Sequence, residues 1–504
     1  MKISINLKTN YLSSFHVVRC LCEQINYQPQ EQFEKEDFRL VYPLLMDIKN
    51  FEKRSLTEAK DYKNQLRFYT IERVDRQLYS LLRSIHKFIG ENFEIEIYNV
   101  NALDPGSARF LKLLASKKLG DVTYYGNISQ LPYYNDPIEN TVKFELRKLN
   151  QNNMTDKVHD LALQFLSVGD AWTSIKLSKR IFEINKDDEF LYDLGIAYTM
   201  IGETETAAYY LYKSKELGKF NRVIDANYVL SMLYTRHHPR YLQSLQKAED
   251  LLQEAFSLME DKEEDFHKIF NRNGYALILF RRGQIEEAIN ILKNGIKQLR
   301  TNISLQNKGN LHESVLIYNL AQCYTKLDLF EEASLAFEEL IKIDPYYPEN
   351  RLEYAKLLLG YGNEEAAIKQ LNVARELNPN LIEIYSIYGY LYAQRENNQL
   401  AEKYYLKAFQ FNNDKFEYLY DLIYMMTLNN KYEECYSLIK DIKIDVLSLN
   451  EQEYVDFFTI EAECLINLGK KEEAIDIMRF CIEQFPTNET LKINIQMLEK
   501  SEVI

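Results

Sequence analysis

The segment from Ile317 to Asn413 reads IYNLAQCYTKLDLFEEASLAFEELIKIDPYYPENRLEYAKLLLGYGNEEAAIKQLNVARELNPNLIEIYSIYGYLYAQRENNQLAEKYYLKAFQFNN. The same residue types recur in it every 34 residues. The recurring positions are Ala333, Ala367 and Ala401, then Pro345 and Pro379, and the pairs Leu320-Ala321, Tyr354-Ala355 and Tyr388-Gly389. A period of this length indicates a structural unit that is repeated along the chain.

Each unit is predicted to be two short antiparallel helices, because its apolar residues recur at intervals of three and four. Small residues at Ala321 and Ala333 let the two helices approach closely, and the ring of Tyr324 fills the space beside them. Pro345 follows the second helix, which proline cannot continue. One helix pair cannot bury its own apolar face, so several pairs must stack in a row.

This pattern resembles the tetratricopeptide repeat over roughly the last two-thirds of the chain. The resemblance implies a mainly α fold, an α-solenoid of about nine helix pairs that occupies residues 136–504. Steps between equivalent alanines exceed the period in places, and about eleven residues are inserted around Thr301 to His312. Glu489 to Ser501 is predicted to be a polar-faced helix that caps the open end of the solenoid.

Composition places the chain among globular proteins. It has 504 residues, a formal net charge of −14, 10 prolines and 16 glycines. The acidity argues against a broad surface for nucleic acid or anionic membranes. Six cysteines suit a reducing compartment, and no stretch approaches the length of apolar sequence that spans a membrane. We therefore expect a soluble cytoplasmic protein with neither nucleic acid nor membrane as a partner.

Residues 1–135 lack the repeat and are predicted to form a small mixed α/β domain. A helical pattern runs from Lys60 to Gly90, and Phe93 to Tyr98 alternates like a strand. A second helix is predicted for Ser107 to Ser116, and a second strand for Asp121 to Tyr125.

One part of this domain resembles signal-transducing NTPases that carry a repeat tail. Asp104, Pro105 and Ser107 match the turn of that family, whereas Tyr98 and Asn99 stand where it has paired acids. No phosphate-binding loop with the pattern GxxxxGK[ST] occurs in the sequence, so ATP hydrolysis lacks its machinery. The resemblance implies a truncated, inactive relative. The alternative is an unrelated small α/β domain.

The sequence offers no catalytic or metal site, and we predict no enzyme and no cofactor. The seven histidines form no zinc-binding spacing. Cys20 and Cys22 are interpreted as structural, because a second ligand pair is missing. Paired glutamates recur at the starts of second helices, where they complement the helix dipole. Phe110 to Gly120 resembles the beginning of a helix-turn-helix, but a strand follows it.

The resemblance implies that the first helices line a concave groove. Tyrosine recurs at the groove positions, and it combines apolar area with a hydroxyl group at low entropic cost. An alternative interpretation is that many of these tyrosines pack between helices. The candidate peptide-binding residues are Tyr228, Asn273, Arg281, Tyr318, Asn319, Gln322, Lys356, Tyr390 and Tyr424.

The function predicted first is a non-enzymatic scaffold that binds a protein or peptide segment in the groove. One alternative is a peptide- or ligand-responsive bacterial regulator. Another is an accessory subunit that brings a substrate peptide to a separately encoded enzyme. The sequence is also compatible with a homo-oligomer, and it leaves the identity of the partner open.

Overall fold

The computed structural model describes residues 1–8, 10–43, 55–56, 71–90, 93–117, 119–127, 129–152, 155–218, 220–259, 266–301, 303–411, 416–442 and 449–500. Helices make up 76% of the structure, which confirms the mainly α prediction. The chain divides into two compact units, Met1–Pro379 and Asn380–Ile504. The boundary predicted between residues 135 and 136 does not coincide with this division and stays a prediction.

Three parallel strands form the sheet of the first unit. They are β1 (Lys2–Asn6), β2 (Phe93–Tyr98) and β3 (Gly120–Tyr125), in the spatial order β1-β2-β3. The two predicted strands are therefore confirmed, and β1 is an additional strand. Alternate side chains face the core, as the burial of Ile3 and Ile5 shows.

Four helices of the described residues accompany the sheet: α1 (His16–Gln24), α2 (Gln32–Phe38), α3 (Ile71–Ile89) and α4 (Pro105–Ser116). The predicted helix from Lys60 to Gly90 is confirmed from Ile71 onward, and its part before Ile71 lies outside the described residues. Helix α3 buries Val74, Leu78 and Leu82, as its helical spacing requires.

The carboxylate of Asp104 caps two helices at once. It accepts hydrogen bonds from the backbone N–H of Ser107 at 2.8 Å, at the start of α4. It also accepts from the N–H groups of Phe15 at 2.7 Å and His16 at 3.2 Å, at the start of α1. The unpaired N–H groups of a helix N-terminus are the usual place for a bound anion. In this protein the Asp104 side chain occupies that place for both helices.

A buried ion pair joins α1 to the chain that leads into the repeats. Arg19 and Asp136 are almost completely buried, and their charged groups lie 2.8 Å apart. His16 Nδ1 lies 2.9 Å from the same carboxylate. Burial by itself would raise the pKa of Asp136, but the charge of Arg19 and the hydrogen bonds from His16 and Arg19 lower it below the usual range.

Helix α5 (Pro137–Asn152) leads into the repeats, which follow as antiparallel helix pairs. The first unit contains α6 (Thr155–Ser167) with α7 (Ala171–Ile184), α8 (Asp188–Met200) with α9 (Thr204–Leu217), α10 (Phe220–Met232) with α11 (Leu245–Met259), α12 (Phe266–Arg281) with α13 (Ile285–Thr301), α14 (Ile303–Lys326) with α15 (Phe330–Ile343), and α16 (Pro348–Gly360) with α17 (Glu364–Leu377).

The second unit contains three further pairs and a terminal helix. They are α18 (Ile382–Gln394) with α19 (Asn398–Phe411), α20 (Phe416–Leu428) with α21 (Tyr432–Asp441), α22 (Glu451–Asn467) with α23 (Lys471–Gln484), and the last helix α24 (Glu489–Lys500). The described helices from α6 to α23 thus form nine pairs, in agreement with the predicted number.

The small residues of the repeat lie where helices touch. Ala333, Ala367 and Ala401 are completely buried. A Cβ atom built on Gly389 would lie 2.7 Å from the ring of Tyr405, so the two helices of that pair are in close contact. The insertion predicted near Thr301 is accommodated by the 24-residue helix α14, which is longer than the other first helices.

Candidate functional site

The candidate residues lie on the first helices of their pairs, and we call the surface that these helices present the first-helix face. Gln322, Lys356, Tyr390 and Tyr424 occupy one position of successive repeats, at intervals of 34 residues. The first two belong to the first unit and the last two to the second unit. The first helices of each unit present a face of their own, and the two faces differ in chemistry.

In the first unit, polar side chains of successive first helices are bonded to one another. Asn319 Nδ2 on α14 donates to Asn273 Oδ1 on α12 at 2.7 Å. Gln322 and Lys356 both reach the carboxylate of Glu353 on α16, at 3.4 and 2.7 Å. A peptide that used these amide groups must exchange existing hydrogen bonds for new ones, so their net contribution to binding is reduced.

The remaining candidates of the first unit differ in accessibility. Tyr228 is only 9% exposed, and its ring centroid lies 4.1 Å from that of Phe270. Burial raises the pKa of its phenol to about 12. Tyr318 is half-buried, whereas Arg281 is exposed at the end of α12. Tyr228 therefore offers little surface to a ligand, as the interpretation of tyrosines packed between helices expects.

In the second unit, the candidate tyrosines are open to solvent. Tyr390 on α18 is 49% exposed and Tyr424 on α20 is 43% exposed. Tyr420 lies one helical turn before Tyr424, and the two rings are nearly parallel with centroids 6.0 Å apart. These rings present aromatic surface at a position that recurs with the repeat.

Carboxylates accompany these tyrosines, and the sequence analysis did not include them among the candidates. Asp421 lies next to Tyr420 in the sequence and accepts a hydrogen bond from Ser386 Oγ at 3.4 Å. Burial raises its pKa to about 6, and the charge of nearby Glu417 contributes in the same direction. The repeat period could have identified two of these carboxylates from the sequence, since Glu383 and Glu417 are also 34 residues apart.

The described residues include no group of side chains suited to a resident metal. No cluster of three or more His, Cys, Asp or Glu side chains is placed there to hold an ion. Likewise, no helix within the described ranges combines the length and apolarity that crossing a bilayer requires.

Antiparallel helix pairs that follow one another in a constant register define a helical-repeat protein. Residues 305–347 and 330–389 match two models of the tetratricopeptide repeat. The chain therefore carries tetratricopeptide repeats, and the predicted resemblance is confirmed for this part. Such repeats indicate a protein-interaction scaffold in general, and proteins built from them are typically non-enzymatic.

Several known proteins are similar to this chain. The TPR repeat-containing protein YpiA of Bacillus subtilis is 25% identical over 266 residues, which cover 52% of this chain and 58% of YpiA. This chain thus spans less than two-thirds of that relative. A structure of human IFIT1, a dimer with PPP-AAAA, is 13% identical and covers 91% of this chain and 96% of its own, with a TM-score of 0.44. A structure of Pseudomonas aeruginosa PilF is 13% identical and covers 45% and 96%, with a TM-score of 0.35.

Proposed function

We propose that this protein is a non-enzymatic scaffold that binds a peptide segment of a partner protein on the first-helix face of its second unit. The observation that carries the proposal is the pair Tyr390 and Tyr424. Both rings are nearly half exposed, at one position of successive repeats in the second unit. Half-exposed tyrosines supply rigid contact area at little entropic cost and are frequent binding hot spots.

The first helices of the first unit offer a separate, polar surface for peptide in this proposal. The bonded groups of Asn319, Gln322 and Lys356 lie on the same kind of surface as the tyrosines. Amide groups donate and accept, so they suit the backbone of an extended peptide. Tyr318 and Arg281 are the further predicted contacts in this unit.

The experiment starts from the full chain, against which a displayed library of random peptides is selected. Affinities of the selected peptides are then measured by fluorescence anisotropy for wild type and for the variants Tyr318→Ala, Tyr390→Ala and Tyr424→Ala. We expect each substitution at a hot spot to weaken binding by about 2 kcal/mol or more.

Tyr209→Ala is the matched control, because Tyr209 is 58% exposed and lies on the second helix α9. It should leave affinity unchanged, and melting curves should show that all four variants remain folded. Selected peptides that bind equally well to wild type and to the first-helix variants would place binding elsewhere and reject the proposal.

A further inference from the structure

The three first helices of the second unit carry negative charge without any positive charge. Helices α18, α20 and α22 contain one, two and five acidic residues, which is eight in total, and they contain no Lys, Arg or His. The same three helices also contain eight tyrosines, of which four are buried (Tyr385, Tyr388, Tyr418 and Tyr454) and the other four are half-buried or exposed. Many basic residues of this unit lie on the second helices, for example Lys407 on α19 and Lys440 on α21, and Arg395 directly follows the last residue of α18.

Three of the eight acidic residues have evident structural roles. Glu461 is buried and pairs with Lys440 at 2.5 Å. Glu453 completes the capping box of α22 with Asn450. Glu451 accepts a hydrogen bond from Asn488 at 3.0 Å.

The other five acidic residues have no Lys, Arg or His partner within the described ranges. They are half-buried or exposed, and we call them the free carboxylates: Glu383, Glu417, Asp421, Asp456 and Glu463. Charged side chains on a protein surface usually intersperse both signs. A one-sided set on the helices that carry the exposed tyrosines therefore needs an explanation beyond solubility.

The free carboxylates and the tyrosines lie close together. Ser386 Oγ connects α18 to Asp421 on α20, and the ring of Phe416 on α20 lies 6.2 Å from that of Phe457 on α22. Burial and then the negative charge of Asp456 raise the pKa of Tyr420, so the phenol on α20 lies near the carboxylate on α22. The three helices thus present one continuous surface.

This surface holds negative charge at an energetic cost. Asp421 is surrounded by Glu417 and the phenols of Tyr420 and Tyr405, and its pKa is raised to about 6 mainly by burial. The Oε2 atom of Glu383 is buried and has no hydrogen-bond donor among the described residues. A positive group bound here would stabilise the ionised forms of Asp421 and Glu383, because an opposite charge favours the ionised carboxylate.

We propose that the second unit binds a basic peptide segment, one that carries several Lys or Arg residues, on this acidic and aromatic surface. The proposal rests on the proposed function and specifies its partner. The free carboxylates attract and orient the cationic side chains. The faces of Tyr390 and Tyr424 accept them through cation–π contacts, which strengthen when water is excluded.

The test uses the full chain and three labelled peptides of equal length, in which Lys, Gln or Glu alternates with Ala and Leu. Fluorescence anisotropy gives the affinity of each at low and at physiological ionic strength. We expect the Lys peptide to bind at least about tenfold more tightly than the Gln peptide at low salt. The difference should shrink as salt screens the exposed charges.

Matched variants locate the binding surface. The variant Glu417→Gln/Asp456→Asn/Glu463→Gln removes three free carboxylates. The control Glu472→Gln/Asp476→Asn/Glu483→Gln changes the net charge equally through exposed residues of α23. We expect the first variant to bind the Lys peptide at least about tenfold more weakly than wild type does. The control should bind this peptide with an affinity within about twofold of wild type. Tyr424→Leu should weaken it further, whereas Tyr424→Phe should preserve most of the affinity.

Equal loss in both triple variants would show attraction to the overall charge and would overturn the inference. The inference would also be overturned if spermine displaced the Lys peptide completely and if the affinity for spermine did not change with the tyrosine substitutions. If selected peptides depend on Tyr390 and Tyr424 but not on the free carboxylates, peptide binding stands and the basic specificity falls. If no peptide depends on these tyrosines, the proposed function itself fails.

Discussion

The close contact at Gly389 allows a quantitative test of the repeat register. Gly389 lies in the first helix α18, where its missing side chain leaves room for the ring of Tyr405 on α19. A Cβ atom at this position would lie 2.7 Å from two ring carbons and 2.9 Å from a third. Such distances force the ring or the helix to move, and Tyr405 is only 6% exposed.

Two opposing terms determine the effect of Gly389→Ala. Alanine is favoured over glycine in a helix by about 1 kcal/mol. Overpacking a close-packed interface costs about 1–3 kcal/mol. We therefore expect a net loss of roughly 0–2 kcal/mol in the free energy of unfolding, although the substitution improves helix propensity.

Gly360→Ala separates the two terms. Gly360 ends helix α16, and a Cβ atom there would meet nothing within 4 Å. This variant should be neutral or more stable by up to about 1 kcal/mol, because only the propensity term acts. The difference between the two glycine variants then measures the steric cost, about 1–3 kcal/mol.

A second substitution should relieve the clash. One repeat earlier, the equivalent positions hold Ala355 and Leu371, both completely buried. Gly389→Ala/Tyr405→Leu reproduces that combination, so the double variant should lose less stability than the sum of its single variants, by about 1 kcal/mol or more.

Urea denaturation followed by circular dichroism gives the free energies for all four variants. Because repeat arrays can unfold in stages, Gly389→Ala and the double variant are compared on the unfolding transition that Tyr405→Leu also shifts. Gly360→Ala is judged on the unfolding transition of the first unit, where Gly360 lies. Equal shifts for the two glycine variants, together with additive behaviour of the double variant, would refute the assigned helix contact.

Three further predictions address other parts of the molecule. Ala367→Leu should cost roughly 1–3 kcal/mol by overpacking a completely buried position, and an unchanged melting temperature would place this residue outside the helix contact. Residues 1–135 should confer no ATP binding, since Asp104 already caps both helix N-termini; micromolar binding in calorimetry that disappears when they are deleted would contradict this. Arg19→Met should cost about 3–5 kcal/mol by leaving a buried carboxylate unpaired, and Arg19→Met/Asp136→Asn should recover part of the loss in thermal unfolding; no recovery would mean that packing around Arg19 dominates.

Much of the fold could be predicted because the repeat is a local pattern. The constant interval between Ala333, Ala367 and Ala401 identifies helix pairs without any tertiary information. In the N-terminal part, the alternation in Phe93 to Tyr98 was sufficient for β2. Strand β1 was not predicted, although Ile3 and Ile5 alternate with polar residues in the same way.

The candidate site was predictable in position but not in character. Repeat offsets identified Tyr390 and Tyr424 as residues of the first-helix face, and both are exposed. The same offsets identified Tyr228, which is buried against Phe270. A sequence offset specifies the side of a helix on which a residue lies, but it does not specify how closely the neighbouring helix covers that side.

The sequence by itself determined the repeating helix pairs, their approximate number and the small residues at their contacts, because these depend on spacing within one or two helices. Only the tertiary structure decided which polar groups satisfy one another and which remain available. Asn319 is bonded to Asn273, 46 residues away, whereas Asp421 has no basic partner among the described residues. The physical reason is that burial and charge pairing depend on residues distant in the chain, whose approach the repeat period does not encode.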